Sequence, residues 1–111
     1  MPPRQPRMSR GGQLGVNLRH LAGMHDISQR ELAGYLGLSA QGIWNIVHGR
    51  SEPRLRTAER MATAFAIPVD LLFADTGVCV RGAAAVFEQA PLRRGLNGSR
   101  SVAVGLPAAS R

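Results

Sequence analysis

Two side-chain amides and an indole stand close together in this chain. Gln41 and Asn45 are four residues apart, one helical turn, with Trp44 beside Asn45 and His48 three residues further on. A carboxamide carries a donor next to an acceptor, so it can bond both N6 and N7 on an adenine edge. The plainer alternative is a polar helix face turned to water. Groups suited to catalysis or metal binding are sparser. His20, His25 and His48 are scattered, and none has a carboxylate at ligand spacing. Asp26 adjoins His25, but chain neighbours seldom converge on one site. Cys79 is the single cysteine, which excludes a disulfide framework and a cysteine-based zinc site. With no basic partner indicated, it reads as a small apolar filler. Glycine-rich phosphate loops and a G-x-S-x-G nucleophile elbow are both missing from the sequence. The expectation is a binding protein, not an enzyme, with no cofactor and no metal.

Five short helices are predicted to position the amides. Leu14, Leu18 and Leu21 recur at the spacing of one buried helical face. Gly23 to Asp26 break that helix. Ser28-Gln29-Arg30-Glu31 has the form of a capping box, and Leu32, Ala33 and Leu36 give the next helix its inner face. Gly37 ends it, supplying a left-handed residue at low cost. Ser39 caps a third helix, with Ile43, Ile46 and Val47 turned inward and Gly49 at its end. Leu55, Ala58, Ala62 and Phe65 mark the inner side of a fourth. Pro68 suits the first turn of a fifth, with Val69, Leu72 and Phe73 apolar. Only Gly37 to Ser39 join the second helix to the third, and so short a turn forces a steep crossing. Small Ala33 lets the two approach. This is helix-turn-helix geometry.

Length and charge fit one small domain. The chain has 111 residues and a net charge of +7. All 14 basic residues are arginine, which points to coding bias first and to phosphate contact second. Residues 1–13 carry +3, residues 14–73 only +1, and residues 74–111 +3. The first segment, with Pro2, Pro3, Pro6, Gly11 and Gly12, reads as a flexible basic arm. The last, rich in Ala, Gly, Arg and Ser, reads as a mostly disordered tail with room for one short helix or strand. No apolar run approaches the ~18 residues of a membrane span, and no secretory signal is visible. A cytoplasmic protein with nucleic acid as its partner is expected, not a membrane protein.

From Ile27 to Phe73 the sequence resembles the Cro/cI-type helix-turn-helix domains of lambda-repressor-like regulators, the XRE family. The resemblance rests on Ser28-Gln29 with Glu31-Leu32-Ala33, then Leu36-Gly37-Leu38-Ser39, then Ile43, Ile46, Gly49-Arg50 and Pro53. It continues through Ala62, Phe65 to Ile67 and Val69-Asp70-Leu71-Leu72. With the first helix it covers Leu14 to Phe73. It implies an all-α, compact five-helix lambda-repressor-like domain, with arm 1–13 and tail 74–111 outside it. Two departures stand out. The family commonly pairs a basic residue late in the first helix with a Glu late in the third, where this chain has Ala22 and Val47. Replacing both partners by apolar groups can be neutral, whereas losing one strands a charge. The second departure, Gly42 inside the third helix, costs that helix ~1 kcal/mol.

The resemblance implies a DNA-reading role for the helix Ser39–His48. Inward Ile43, Ile46 and Val47 leave Ala40, Gln41, Trp44, Asn45 and His48 facing out. The candidate base readers are Ala40, Gln41, Trp44 and Asn45. Trp44 could cover a thymine methyl, pack on a sugar, fold over the Ala22/Val47 gap, or join a protein contact. Phosphate contacts are expected from Gln29, Ser39, His48, Arg50, Arg54 and, through the arm, Arg10. Arg19, Arg56 and Arg60 read as solvated helix faces. The function implied is a sequence-specific transcriptional regulator, a repressor, bound to double-stranded DNA as a homodimer on two half-sites. Two other readings stay open. One is an antitoxin-type autorepressor that holds a protein partner through its C-terminal tail. The other is a protein-interaction adaptor on a retained scaffold.

Overall fold

A computed structural model describes residues 9–92 of the chain. Six α-helices follow in order: α1 Arg10–Met24, α2 Gln29–Leu36, α3 Ala40–Val47, α4 Leu55–Ala64, α5 Val69–Leu72 and α6 Thr76–Ala85. A 3-10 turn, Phe87–Gln89, comes after α6. The five predicted helices are α1 to α5. Among the described residues there is no strand.

The local signals act as their chemistry requires. Ser28 Oγ accepts from the Glu31 amide at 3.0 Å, and Glu31 Oε1 accepts from the Ser28 amide at 2.8 Å, closing the capping box. Gly37 takes the left-handed conformation, φ +73°, and α2 ends there. Ser39 Oγ accepts from the Gly42 amide at 2.9 Å and starts α3. Leu14, Leu18, Leu21, Leu32, Leu36, Ile43, Val47, Met61, Phe65 and Leu72 form one buried core. Helix α1 runs through its centre and packs on α3, α5 and α6, while α2 packs on α3.

Three expectations need correction. Helix α1 starts at Arg10, not Leu14, because Ser9 caps it by accepting from the Gly12 amide at 3.0 Å. Residues 10–13 therefore belong to a helix and not to an arm, while residues 1–8 lie outside the described residues. Leu55 has the angular phase of the core but is 68% exposed, since it opens α4 where no other element covers it. Beyond Phe73 the chain packs instead of trailing away. Asp75 caps α6, and Cys79, Ala83, Ala90 and Leu92 are fully buried. The rest of the expected tail, 93–111, lies outside the described residues.

A buried polar residue joins α6 to the rest. The Asn17 amide nitrogen donates to the carbonyls of Leu72 and Ala74, each at 2.8 Å. Its oxygen accepts from Thr76 Oγ1 at 2.8 Å and from Gln13 Nε2 at 3.2 Å. Every polar atom of the Asn17 amide thus has a partner, which offsets the cost of burying it. Further on, the His25 ring stacks on Phe87 at 4.4 Å and tilts against Phe65 at 5.3 Å, fixing the 3-10 turn against the end of α1. His25 thereby serves packing.

Candidate nucleic-acid interface

Helix α3 is held from behind at one very close contact. A Cβ built on Gly15 of α1 would lie 2.1 Å from the Val47 carbonyl oxygen, so only glycine admits this approach. Gly49, at φ +72°, then turns the chain away, its Cβ direction 3.2 Å from Gly12 Cα. With Ile43, Ile46 and Val47 buried in the core, the opposite face of α3 looks outward.

On that face Ala40, Gln41, Trp44 and His48 are exposed, and Asn45 is half-buried. Gln41 Nε2 donates to Asn45 Oδ1 at 3.0 Å, so the two amides form a bonded pair. The indole of Trp44 stacks with the His48 ring, 4.0 Å between centroids and 21° between planes. His48 Nδ1 lies 2.9 Å from the Trp44 carbonyl oxygen. A carbonyl only accepts, so Nδ1 carries the proton in this bond. Nε2 is the nitrogen left over, and it can donate to a phosphate only from a doubly protonated ring. Arg50 places its guanidinium carbon 5.3 Å from the Trp44 ring centroid. No acidic residue occurs in α3 itself.

Across from this face stands the N-terminal turn of α2. Ser28, Gln29 and Arg30 form one wall of an open cleft of about 540 Å³, and Ala40, Gln41, Ile43 and Trp44 form the other. Gln29 and the outward residues Ala40, Gln41 and Trp44 of α3 therefore share one surface. Arg30 belongs to it as well, though sequence reasoning passed over it. Its place immediately after Gln29 in the capping box was the available signal. Ser39 is exposed, with its hydroxyl engaged as the α3 cap. Arg50 and Arg54 are exposed in the α3–α4 connection, and Arg54 is the residue preceding α4.

One placement differs from expectation, and one of the alternatives open for Trp44 is removed. Arg10 is not carried on a reaching arm. It lies in the first turn of α1, its guanidinium carbon 4.1 Å from the Phe73 ring centroid and its Nε 3.8 Å from Glu52 Oε2. Trp44 does not fold over the Ala22/Val47 gap. Those two residues line a separate cleft of about 270 Å³ with Leu18, Arg19, Gly23, Ile27, Gln29 and Leu32, and Trp44 is not among its walls.

Among the described residues no group of His, Cys, Asp and Glu side chains could hold a metal ion, and no helix is long and apolar enough to cross a membrane. The model of the helix-turn-helix family matches residues 18–72, from within α1 to the end of α5. An uncharacterized HTH-type transcriptional regulator of Methanocaldococcus jannaschii is 32% identical over 56 residues, which cover 50% of this chain and 85% of that protein. No solved structure matches the chain. The capped α2–turn–α3 unit, its outward amide face and these two matches lead to one conclusion: the chain belongs to the helix-turn-helix family.

Proposed function

We propose that this helix-turn-helix protein, a DNA-binding transcriptional regulator by family and by its relative's class, acts in the cytoplasm as a sequence-specific repressor. Helix α3, from its cap Ser39 to His48, enters the major groove with its N-terminal half foremost. The bonded pair Gln41–Asn45 reads base edges, with Ala40 and Trp44 beside it. Gln29, Arg50 and Arg54, with the amides that open α2, hold the DNA backbone, and Arg30 joins them from the same cleft wall. Ser39 and His48 are the weaker phosphate candidates, because both already make intrahelical bonds. Arg10 sits against Phe73 and would contribute through its charge.

The observation that carries this reading is the bonded amide pair, exposed Gln41 and half-buried Asn45, on a helix whose other face is buried. One such module makes few base contacts, so two copies are proposed on half-sites about one helical turn apart. The side formed by α5 and α6, where Val78 is 41% exposed, is the proposed dimer surface. Repression would follow from occupying a site that overlaps a promoter.

Selection of bound fragments from a random duplex pool tests the proposal. A two-fold symmetric consensus is the expected result, with affinity that falls steeply as salt rises. Recovery of unselected sequence, with affinity unchanged by salt, would leave the domain as a protein-binding scaffold.

A further inference from the structure

The outward face of α3 is polar except for one large apolar plane. Trp44 is 36% exposed, and Gln41, Asn45 and His48 surround it on the helix. Its ring is held in place by its own neighbours, which cover part of it and leave the rest open to a partner. His48 stacks on it at 4.0 Å, and His48 is itself tied to the Trp44 carbonyl at 2.9 Å. Arg50 adds a cation 5.3 Å from the indole centroid. A side chain restrained in this way loses little freedom on binding.

Base edges in a major groove offer donors and acceptors, and one apolar group, the 5-methyl of a pyrimidine. Against the indole carbons, which make up the ring apart from its Nε1–H donor, a base donor or acceptor would lose water and gain no partner, so for that part of the ring the methyl is the complementary group. The neighbouring amides point the same way. An adenine read by Gln41 or Asn45 brings a thymine with it, and that thymine's methyl projects into the same groove. We propose that Trp44 is a specificity-determining residue that recognises a pyrimidine 5-methyl group, and that His48 and Arg50 hold its ring for this contact. The shared chemistry belongs to thymine and to 5-methylcytosine. The inference rests on the groove-reading proposal above and names what that surface selects.

The test uses the full chain and the duplex chosen by random-pool selection. Each thymine of one half-site is replaced in turn by deoxyuridine, which removes only the methyl. At one or two positions the dissociation constant should rise about four-fold, the value of one buried methyl. At those positions a 5-methylcytosine·guanine pair should bind more tightly than a cytosine·guanine pair by a similar factor. A methyl effect confined to thymine assigns the contact to thymine alone. Trp44→Ala should bring every methyl effect below two-fold, Trp44→Phe should keep part of it, and His48→Ala should weaken it. The arm on the unaltered protein needs no variant. If selection yields a consensus but no uracil substitution matters, Trp44 packs elsewhere, on a sugar for instance, and the inference fails while the groove reading stands. Equal methyl effects in the wild type and Trp44→Ala would assign the methyl to another residue and also overturn it. If no sequence is selected at all, the groove reading fails first and takes this inference with it.

Discussion

Gln41 donates to Asn45 at 3.0 Å, and that bond occupies part of the Asn45 oxygen before any DNA is present. On the proposed reading the two amides should therefore act as a unit. Asn45→Ala should lower discrimination between the selected site and unrelated DNA by ~1–3 kcal/mol. Adding Gln41→Ala should cost less than the sum of the two single changes, by more than ~0.5 kcal/mol. Titrations of both single variants and the double variant check this, and strict additivity would show two independent readers. A different residue answers to pH. Burial pushes the Cys79 thiol above its ordinary value of 9.0. The folded chain thus holds the thiol proton where the unfolded chain has released it. The stability tied to Cys79 is complete below pH 9.0 and falls as pH rises toward the higher folded value. Urea melts between pH 8 and about 10.5 should show a decline that Cys79→Ala reduces, on top of a lower starting stability. The amides were legible in the sequence because four-residue spacing on a short helix fixes their common face. Asn17 was not, since an amide between Leu14 and Leu18 looks like a surface residue until its partners Leu72, Ala74 and Thr76 arrive from far along the chain.

Helices α2 and α3 were predicted closely because their signals are local: Ser28 with Glu31, Gly37, and Ser39 each act within four residues. Helix α6 was harder to see. Its inward residues, Cys79 and Ala83, are small, and Gly77 and Gly82 weaken its apparent propensity. Leu55 failed in the other direction, since periodicity gives a residue's angle around a helix and not whether anything packs at that height. Two predictions belong to packed helix pairs. Gly15→Ala drives a methyl into the Val47 carbonyl, which is backbone and cannot rotate away. Destabilisation of about 3 kcal/mol is expected, read as a lower urea midpoint, with weaker DNA binding as α3 shifts. Beside it, Ala22 and Val47 line one cleft. Ala22→Arg alone should destabilise by leaving a charge against apolar walls, and adding Val47→Glu should recover much of the loss. Melts that show additive effects would mean the two positions are not coupled.

At the scale of the whole molecule the packed body extends past the family match, which ends at residue 72. A chain ending at Phe73 would lose Cys79, Ala83 and Leu92 from the core and strip Asn17 of its partners at Ala74 and Thr76. Relative to a chain ending at Leu92, it should lose more than ~3 kcal/mol of unfolding free energy, read by denaturant melts. Charge belongs to the same scale. The net +7 is carried mainly by the two ends of the sequence, so affinity for any duplex should depend on salt more strongly than the α3 face alone would require. Arg50→Ala should weaken binding to all sequences alike and flatten the log–log salt slope by about 1.

Because a glycine of α1 meets main chain at Val47, the depth at which α3 stands is set by backbone and not by any side chain that faces outward. Exchanges other than to proline at residues 40, 41 and 44, and polar ones at half-buried 45, then leave the rod that bears them seated as before. With those places reading DNA as proposed, such a chain would acquire a new target by changing its lettering alone, and a proline-free library at the four places, polar at 45, should melt in a narrow band while its members choose different DNA.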